Sequence, residues 1–310
     1  MLLIPRGRRR LLPVLLSGLL VVGPVGCGSS ATGNSGRKTI VVTYSILGSL
    51  VREAVRGSAD VVVLIPNGSD PHDWEPSAKD ISRIDHADLI VRNGLGLEGG
   101  IQDALDNAEH DGVETFTASD HVAVRRVGSG EGLPTGDPDQ QVGAEDPHLW
   151  MDPITLGDVI SALGPVLQGE GIDAAPGVAA VETELDEVDG QIAAILARVP
   201  LADRKLVTGH ESLGYFAARY GFQLVGAIIP SLTSDAGVSA RGLAQLVATI
   251  RSEHVKAVFT ELGTAQQVAD AIGSETGVEV VELASHRLPD DGKYTTFLLD
   301  NATKIAVALG

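Results

Sequence analysis

GVAAVETELDEVDGQIAAILARV, residues 177–199, decides the architecture of this chain. Val181, Leu185, Val188, Ile192, Ile195 and Leu196 recur near the 3.6-residue period of a helix with one buried face. Extended to 174–198, such a helix is about 37 Å long at 1.5 Å per residue, more than one small domain requires. It is expected to join two lobes. Upstream, short apolar runs such as KTIVVTYS (38–45), ADVVVLIP (59–66), ADLIVRNG (87–94) and VETFTAS (113–119) alternate with amphipathic stretches of helical period. Downstream the alternation resumes with KLVTG (205–209), FQLVGAIIP (222–230), VKAVFTE (255–261) and VEVVELAS (278–285), closed by YTTFLLDNATKIAVAL (294–309). Strands separated by helices are the pattern of parallel sheets covered on both faces. The expected fold is therefore α/β, with two parallel-sheet lobes of about four strands each, joined by one long rigid helix. The expected boundaries are 38–173 for the first lobe, 174–198 for the helix and 199–310 for the second lobe.

Two segments fall outside that alternation. Residues 1–26 combine Arg6, Arg8, Arg9 and Arg10 with the apolar run LLPVLLSGLLVV and then small residues, the layout of an export signal rather than a membrane span. Cys27, the single cysteine of the chain, follows in PVGC, which resembles a bacterial lipoprotein box with Pro24 in its first place. Lipid on Cys27 would anchor the protein at a membrane surface, with the Gly/Ser-rich residues 27–37 as a flexible tether. GSGEGLPTGDPDQQVGAED (128–146) carries five acidic residues, five glycines and two prolines and reads as a solvated loop. Removing the leader leaves 19 basic and 41 acidic residues, a net charge near −22. No basic patch is present to neutralise phosphate, which excludes a nucleic-acid partner on composition. With one cysteine, stability must come from packing or from a bound ligand rather than an internal disulfide.

The eight histidines sort by position. In open α/β sheets, ligands are met by loops leaving the carboxyl ends of strands. His72 follows ADVVVLIP, His210 follows KLVT and His286 follows VEVVELA, while His148 sits in DPHLWMDP where loop turns to helix. His86, His110 and His254 fall at helix ends, where orphan carbonyls favour such side chains, and His121 precedes a short apolar run. Neutral imidazoles can surround a borderline divalent cation without an expensive buried charge. His72, His148, His210 and His286, spaced 62 to 76 residues apart with two in each half, would then place that ion between the lobes.

NGSDPHDWEPSAKD (67–80), DPHLWMDP (146–153), GHESLGYFAARYGF (209–222), VKAVFTELGTAQQVADAIGSETGVEV (255–280) and GKYTTFLLDNATKIAVAL (292–309) resemble the metal-binding solute receptors of bacterial ABC importers, the cluster serving zinc and manganese. The resemblance covers about residues 38–309 and implies two α/β lobes on a rigid helix with little hinge motion. It places family ligands on His72, His148 and His210, and histidine rather than glutamate at the third place points to Zn²⁺ as the transported ligand. The fourth family ligand is usually an aspartate; here His286 stands in that place, with Asp290 or Asp291 in the same loop as alternatives. Asp73, Glu75, Asp152, Glu211 and Glu261 are the carboxylates expected to balance the ion's charge or orient its ligands, Glu261 alternatively capping the helix that follows it. Trp74 and Trp150, each two residues after a ligand histidine, wall the site or pack the lobes; Tyr215 and Phe216 are expected to pack within the second lobe. Many zinc receptors of this kind carry a histidine-rich loop before the second ligand; the corresponding acidic segment here has no histidine. The implied partners are an ABC permease with its ATPase at the outer face of the cytoplasmic membrane, with room for a metallochaperone, and the implied state is a monomer. The expected role is binding rather than catalysis. A manganese or iron receptor on the same scaffold is the nearer rival, predicting oxygen donors; a zinc hydrolase with Glu211 as base is the more distant one.

Overall fold

The computed structural model describes residues 36–131, 141–234 and 236–310. The leader, Pro24, Cys27, nearly all of the tether and the middle of the acidic loop lie outside them. Residues 37–310 form one compact unit.

Its first layer is a parallel sheet built from β1 (Thr39–Tyr44), β2 (Asp60–Ile65), β3 (Leu89–Arg92) and β4 (Glu114–Thr117), in the order β2-β1-β3-β4. The central β1 reads TIVVTY and is buried from Ile40 onward, as a strand covered on both faces must be. The covering helices are α1 (Ser45–Val55), α2 (Ala78–Asp85) and α3 (Gln102–His110). Helix α2 begins in a capping box, in which Ser77 Oγ accepts from the Asp80 amide and Asp80 Oδ2 accepts from the Ser77 amide at 3.0 Å. The Ser-x-x-Asp spacing makes that start legible in the sequence.

Helices α4 (Pro153–Gly169) and α5 (Ala175–Leu196) follow. Along α5, Val181, Leu185, Val188, Ile192 and Leu196 are buried, while Ile195 at the stripe's edge is half-buried. Each fully buried side chain of this kind contributes about 1.5–3 kcal/mol relative to exposure. The second lobe holds β5 (Lys205–Thr208), α6 (Gly214–Tyr220), β6 (Gln223–Ala227), α7 (Ala240–Ser252), β7 (Ala257–Thr260), α8 (Gln266–Thr276), β8 (Glu279–Glu282) and α9 (Tyr294–Leu309). Its four strands pair as two parallel ladders, β5-β6 and β7-β8, rather than as one continuous sheet. The register of β5 against β6 shifts between Leu206 and Val207. One hydrophobic interior runs from Val41 and Ile90 of the first sheet through Leu163 and Leu185 to Phe216, Phe259 and Phe297 beyond the long helix. A smaller cluster belongs to the second lobe, around Val207, Val258, Leu246 and Ile272.

The crossing of α5 over α1 is close enough to require glycine. A Cβ on Gly177 would lie 1.9 Å from the carbonyl oxygen of Ala54 and 2.7 Å from its carbon, both backbone atoms. On Gly190, farther along the same helix, it would meet nothing within 4 Å. Gly177→Ala should therefore destabilise the fold by about 2 kcal/mol, as overpacking does, whereas Gly190→Ala should stabilise it by about 0.5–1 kcal/mol through helix propensity. Scanning calorimetry of the two variants checks the pair; equal melting temperatures would remove the tight crossing.

Candidate metal centre

The carboxyl ends of the strands face one another across the cleft. After β2 the chain turns through Asn67 and Asp70 to His72; after β5 it reaches His210 almost at once; after β8 it reaches His286. His148 precedes a 3₁₀ turn, Leu149–Met151, that leads into α4. Asn67 ties two of these loops together, its Oδ1 accepting from the Leu288 amide at 2.7 Å and its Nδ2 donating to the Leu288 carbonyl at 3.0 Å. The Gly68 amide donates to the His286 carbonyl at 3.1 Å.

All four expected histidines come together. Ring centres of His148, His210 and His286 lie 5.5, 5.8 and 6.1 Å from that of His72; His148 and His210 are 5.1 Å apart, His210 and His286 6.0 Å. Nε2 of His148 is 3.4 Å from Nε2 of His72 and 3.1 Å from Nε2 of His210. Four nitrogens around a tetrahedral zinc with bonds of about 2.0–2.1 Å stand ~3.3 Å apart. Ligand atoms of His72, His148 and His210 all lie within 4.8 Å of one another, as do those of Asp70, His72 and His286. His148, His210 and His286 are buried, and His72 is half-buried at the cleft's edge.

Carboxylates set the orientation of two of these rings. Asp146 Oδ1 accepts the His148 amide at 3.0 Å and its Nδ1 at 2.8 Å, leaving Nε2 aimed at the centre. The other oxygen of Asp146 accepts from Arg125 Nη1 at 3.0 Å. Glu261 Oε1 accepts the His210 amide at 3.0 Å and lies 3.1 Å from its Nδ1, with the N–H off the line to the oxygen. Ser212 donates to both oxygens of Glu261. Gly209 makes this approach possible, since a Cβ there would stand 2.1 Å from Thr264 Oγ1 and 2.8 Å from Glu261 Cγ.

The protonation states follow these neighbours. Burial, reinforced by the positive charge on neighbouring histidines, holds His148 and His286 well below the ordinary imidazole range. Burial pulls His210 down too, but Glu261, with Asp70 and Asp146 behind it, overrides that and leaves His210 above 6.5. Glu261 is correspondingly lowered, since His210 outweighs the rise that burial causes. Asp146 is raised to about 6, because its complete burial outweighs Arg125.

The remaining expectations divide. Glu261 is an orienting partner, as described. Asp152 instead caps α4, accepting from the Ile154 amide at 3.0 Å and Thr155 Oγ1 at 2.9 Å. Asp73 and Glu75 are exposed, and Asp290 and Asp291 are exposed as well. Asp291 accepts from the Lys293 amide at 3.0 Å and Thr296 Oγ1 at 2.7 Å at the start of α9. Glu211 is mostly buried, its amide bonded to the Ser231 carbonyl. Trp150 walls the site: it is fully buried, 5.2 Å from His148 and 5.4 Å from His286 between ring centres, and donates to the Ser285 carbonyl at 2.8 Å. Trp74 packs against the hydrophobic interior instead. Phe216 packs on Tyr220 and Phe222, but the Tyr215 hydroxyl crosses to accept the Arg125 amide at 2.8 Å. Of the other histidines, His86 caps α2 through Nδ1 at 2.8 Å from the Ser82 carbonyl, His110 ends α3, His254 follows α7, and His121 stacks on Phe116.

Sequence reasoning passed over Asp70 and Asp146. Both stand in Asp-Pro-His, two residues before a histidine, and both accept that histidine's amide at 3.0 Å. The twice-repeated tripeptide is the signal that marks them. Also passed over was Asn93, whose Nδ2 donates to the Pro147 carbonyl at 2.9 Å and so braces the His148 turn.

Two α/β lobes on a spanning helix, with a histidine cage between them, define the class of two-lobed solute receptors. The chain belongs to the family described as ZnuA, zinc-uptake complex component A periplasmic, whose model matches residues 40–308. It is 27% identical over 276 residues to the zinc-binding lipoprotein AdcA of Streptococcus pneumoniae, an alignment covering 86% of this chain and 53% of AdcA. The chain thus spans about half the length of that relative. It is 26% identical over 263 residues to the manganese-binding lipoprotein MntA of Halalkalibacterium halodurans, covering 82% of each. Its fold is that of the periplasmic zinc-binding protein TroA of Treponema pallidum, with a TM-score of 0.75 at 24% identity over 89% of this chain and all of that one.

Orientation through Glu261 carries a measurable consequence. Glu261→Gln removes the charge behind His210 while keeping an acceptor for its amide, and losses of this kind weaken metal binding by about 10- to 100-fold. Zinc titration of the variant against a competing chelator reads it directly; an unchanged affinity would reduce Glu261 to a loop brace.

Proposed function

We propose that this chain captures Zn²⁺ outside the cytoplasm and presents it to the permease of an ABC importer, holding the ion with His72, His148, His210 and His286. The observation that carries this reading is the convergence of the imidazole rings, with Nε2 of His148 at 3.4 Å from that of His72 and 3.1 Å from that of His210 and carboxylates standing behind His148 and His210. Nitrogen lone pairs aimed at one another at such distances repel unless a cation or proton lies between them. Imidazole donors suit zinc, and carboxylate, carbonyl and water donors suit manganese. The chemistry is coordination and release, so no group need act as a catalyst.

The anchor is lipid on Cys27, with residues 27–37 as its tether, holding lobes 38–173 and 199–310 and the 174–198 helix at the outer face of the cytoplasmic membrane. The permease works with its ATPase, a metallochaperone is a compatible further partner, and the receptor acts as a monomer. Among the described residues no helix is long and apolar enough to cross a membrane.

A competition titration tests the ion's identity. Zinc is expected to displace Mn²⁺ with at least a hundredfold preference, following the Irving–Williams order on a nitrogen-rich site. Equal affinities would favour the manganese reading that the MntA relative suggests.

A further inference from the structure

Asp70 lies at the cage without a role in the donor set above. Its Oδ1 accepts the His72 amide at 3.0 Å and stands 3.8 Å from His286 Nε2. Its Oδ2 accepts the hydroxyl of Ser234, from the second lobe, at 2.5 Å. The cluster of Asp70, His72 and His286 shares His72 with the three-histidine cluster, so the two adjoin at that ring. Both ring nitrogens of His286 are buried without a hydrogen-bond partner, a costly state unless something else satisfies them.

Charge leads to the same residue. Four neutral imidazoles leave the double charge of a divalent cation to be balanced by nearby carboxylates. Asp146 is committed to Arg125 at 3.0 Å, and Glu261 meets the cage only from behind His210. Asp70 faces the cage directly. An ionised carboxylate offers about four lone-pair positions, of which the His72 amide and the Ser234 hydroxyl take two.

We propose that Asp70 is a further donor to the captured cation, entering on the flank formed by His72 and His286 and supplying the anionic ligand that an all-imidazole set lacks. This rests on the zinc reading above. Because Ser234 holds the same carboxylate, the bond to Asp70 also ties the ion to both lobes.

Cobalt substitution tests it, since the visible bands of Co²⁺ report donor type and coordination number. Asp70→Asn keeps the side chain's shape and an acceptor for the His72 amide, and Asp73→Asn, on an exposed neighbour, is the control. The expected result is a shift in energy and intensity of the Co²⁺ bands in Asp70→Asn alone, with zinc affinity lowered by more than the roughly 10- to 100-fold that loss of an orienting partner costs. An Asp70→Asn spectrum identical to that of the unaltered protein would overturn the donor role, even if affinity fell, because a loop brace would change affinity without changing the ligand set. An unaltered protein that took up neither Co²⁺ nor Zn²⁺ would instead overturn the zinc reading itself.

Discussion

His148→Ala is expected to weaken zinc binding by roughly a thousandfold, since loss of a direct donor exceeds the 10- to 100-fold that loss of an orienting partner costs. Nε2 of His148 meets those of both His72 and His210. On the proposed coordination, truncation removes one bond to the ion, and it also strands Asp146, a wholly buried carboxylate whose oxygen now holds the imidazole at 2.8 Å. His121→Ala is the control, because that ring stacks on Phe116 outside the cage. A chromophoric chelator in competition at pH 7.5 measures both, and circular dichroism checks that each variant is folded. Binding by His148→Ala within threefold of the unaltered protein would remove the cage.

Acid should release the ion in two stages. Ligand histidines must be neutral, so protons compete with zinc at every ring that titrates in the metal-free protein. Against the pull of burial, Glu261 lifts His210 above the ordinary imidazole range, so it charges before His148 and His286 as pH falls. Its protonation costs about tenfold in affinity per pH unit once pH passes below its raised value. His148 and His286 lie well below 6.5 and join only in stronger acid, where the slope steepens. Dissociation constants measured at pH 7.5, 6.5, 5.5 and 4.5 trace this curve. A flat profile would mean that imidazole does not hold the metal. Glu261→Gln should move the first stage to lower pH, because it is Glu261 that lifts His210.

What the sequence disclosed, and what it did not, follows from the range of the forces involved. The long helix and the strands are set by local periodicity, and the start of α2 by a four-residue capping pattern, so all were legible. The histidines were legible because strand ends carry loops to one edge of a sheet. Among their supporting groups Glu261 was named with the other carboxylates through the family resemblance, but Asn93, Asp70 and Asp146 were passed over; Asn93 meets Pro147 only when positions 54 apart in sequence fold together. Trp74 and Trp150 show the limit plainly. Each follows its histidine by two residues, yet only Trp150 rides a 3₁₀ turn that carries its ring against the cage. The division of the second lobe into two ladders was equally hidden, since the registers of separate strands are decided by packing rather than by composition.

The shared hydrophobic interior constrains how such a molecule can announce its cargo. Swinging the halves apart would open the apolar interior that runs from the first sheet through the long helix to the second lobe, at about 25 cal/mol for each Å² of apolar surface exposed. On the proposed function, a permease would then tell full from empty by small differences near His72 and the Asn67 clasp rather than by a changed outline.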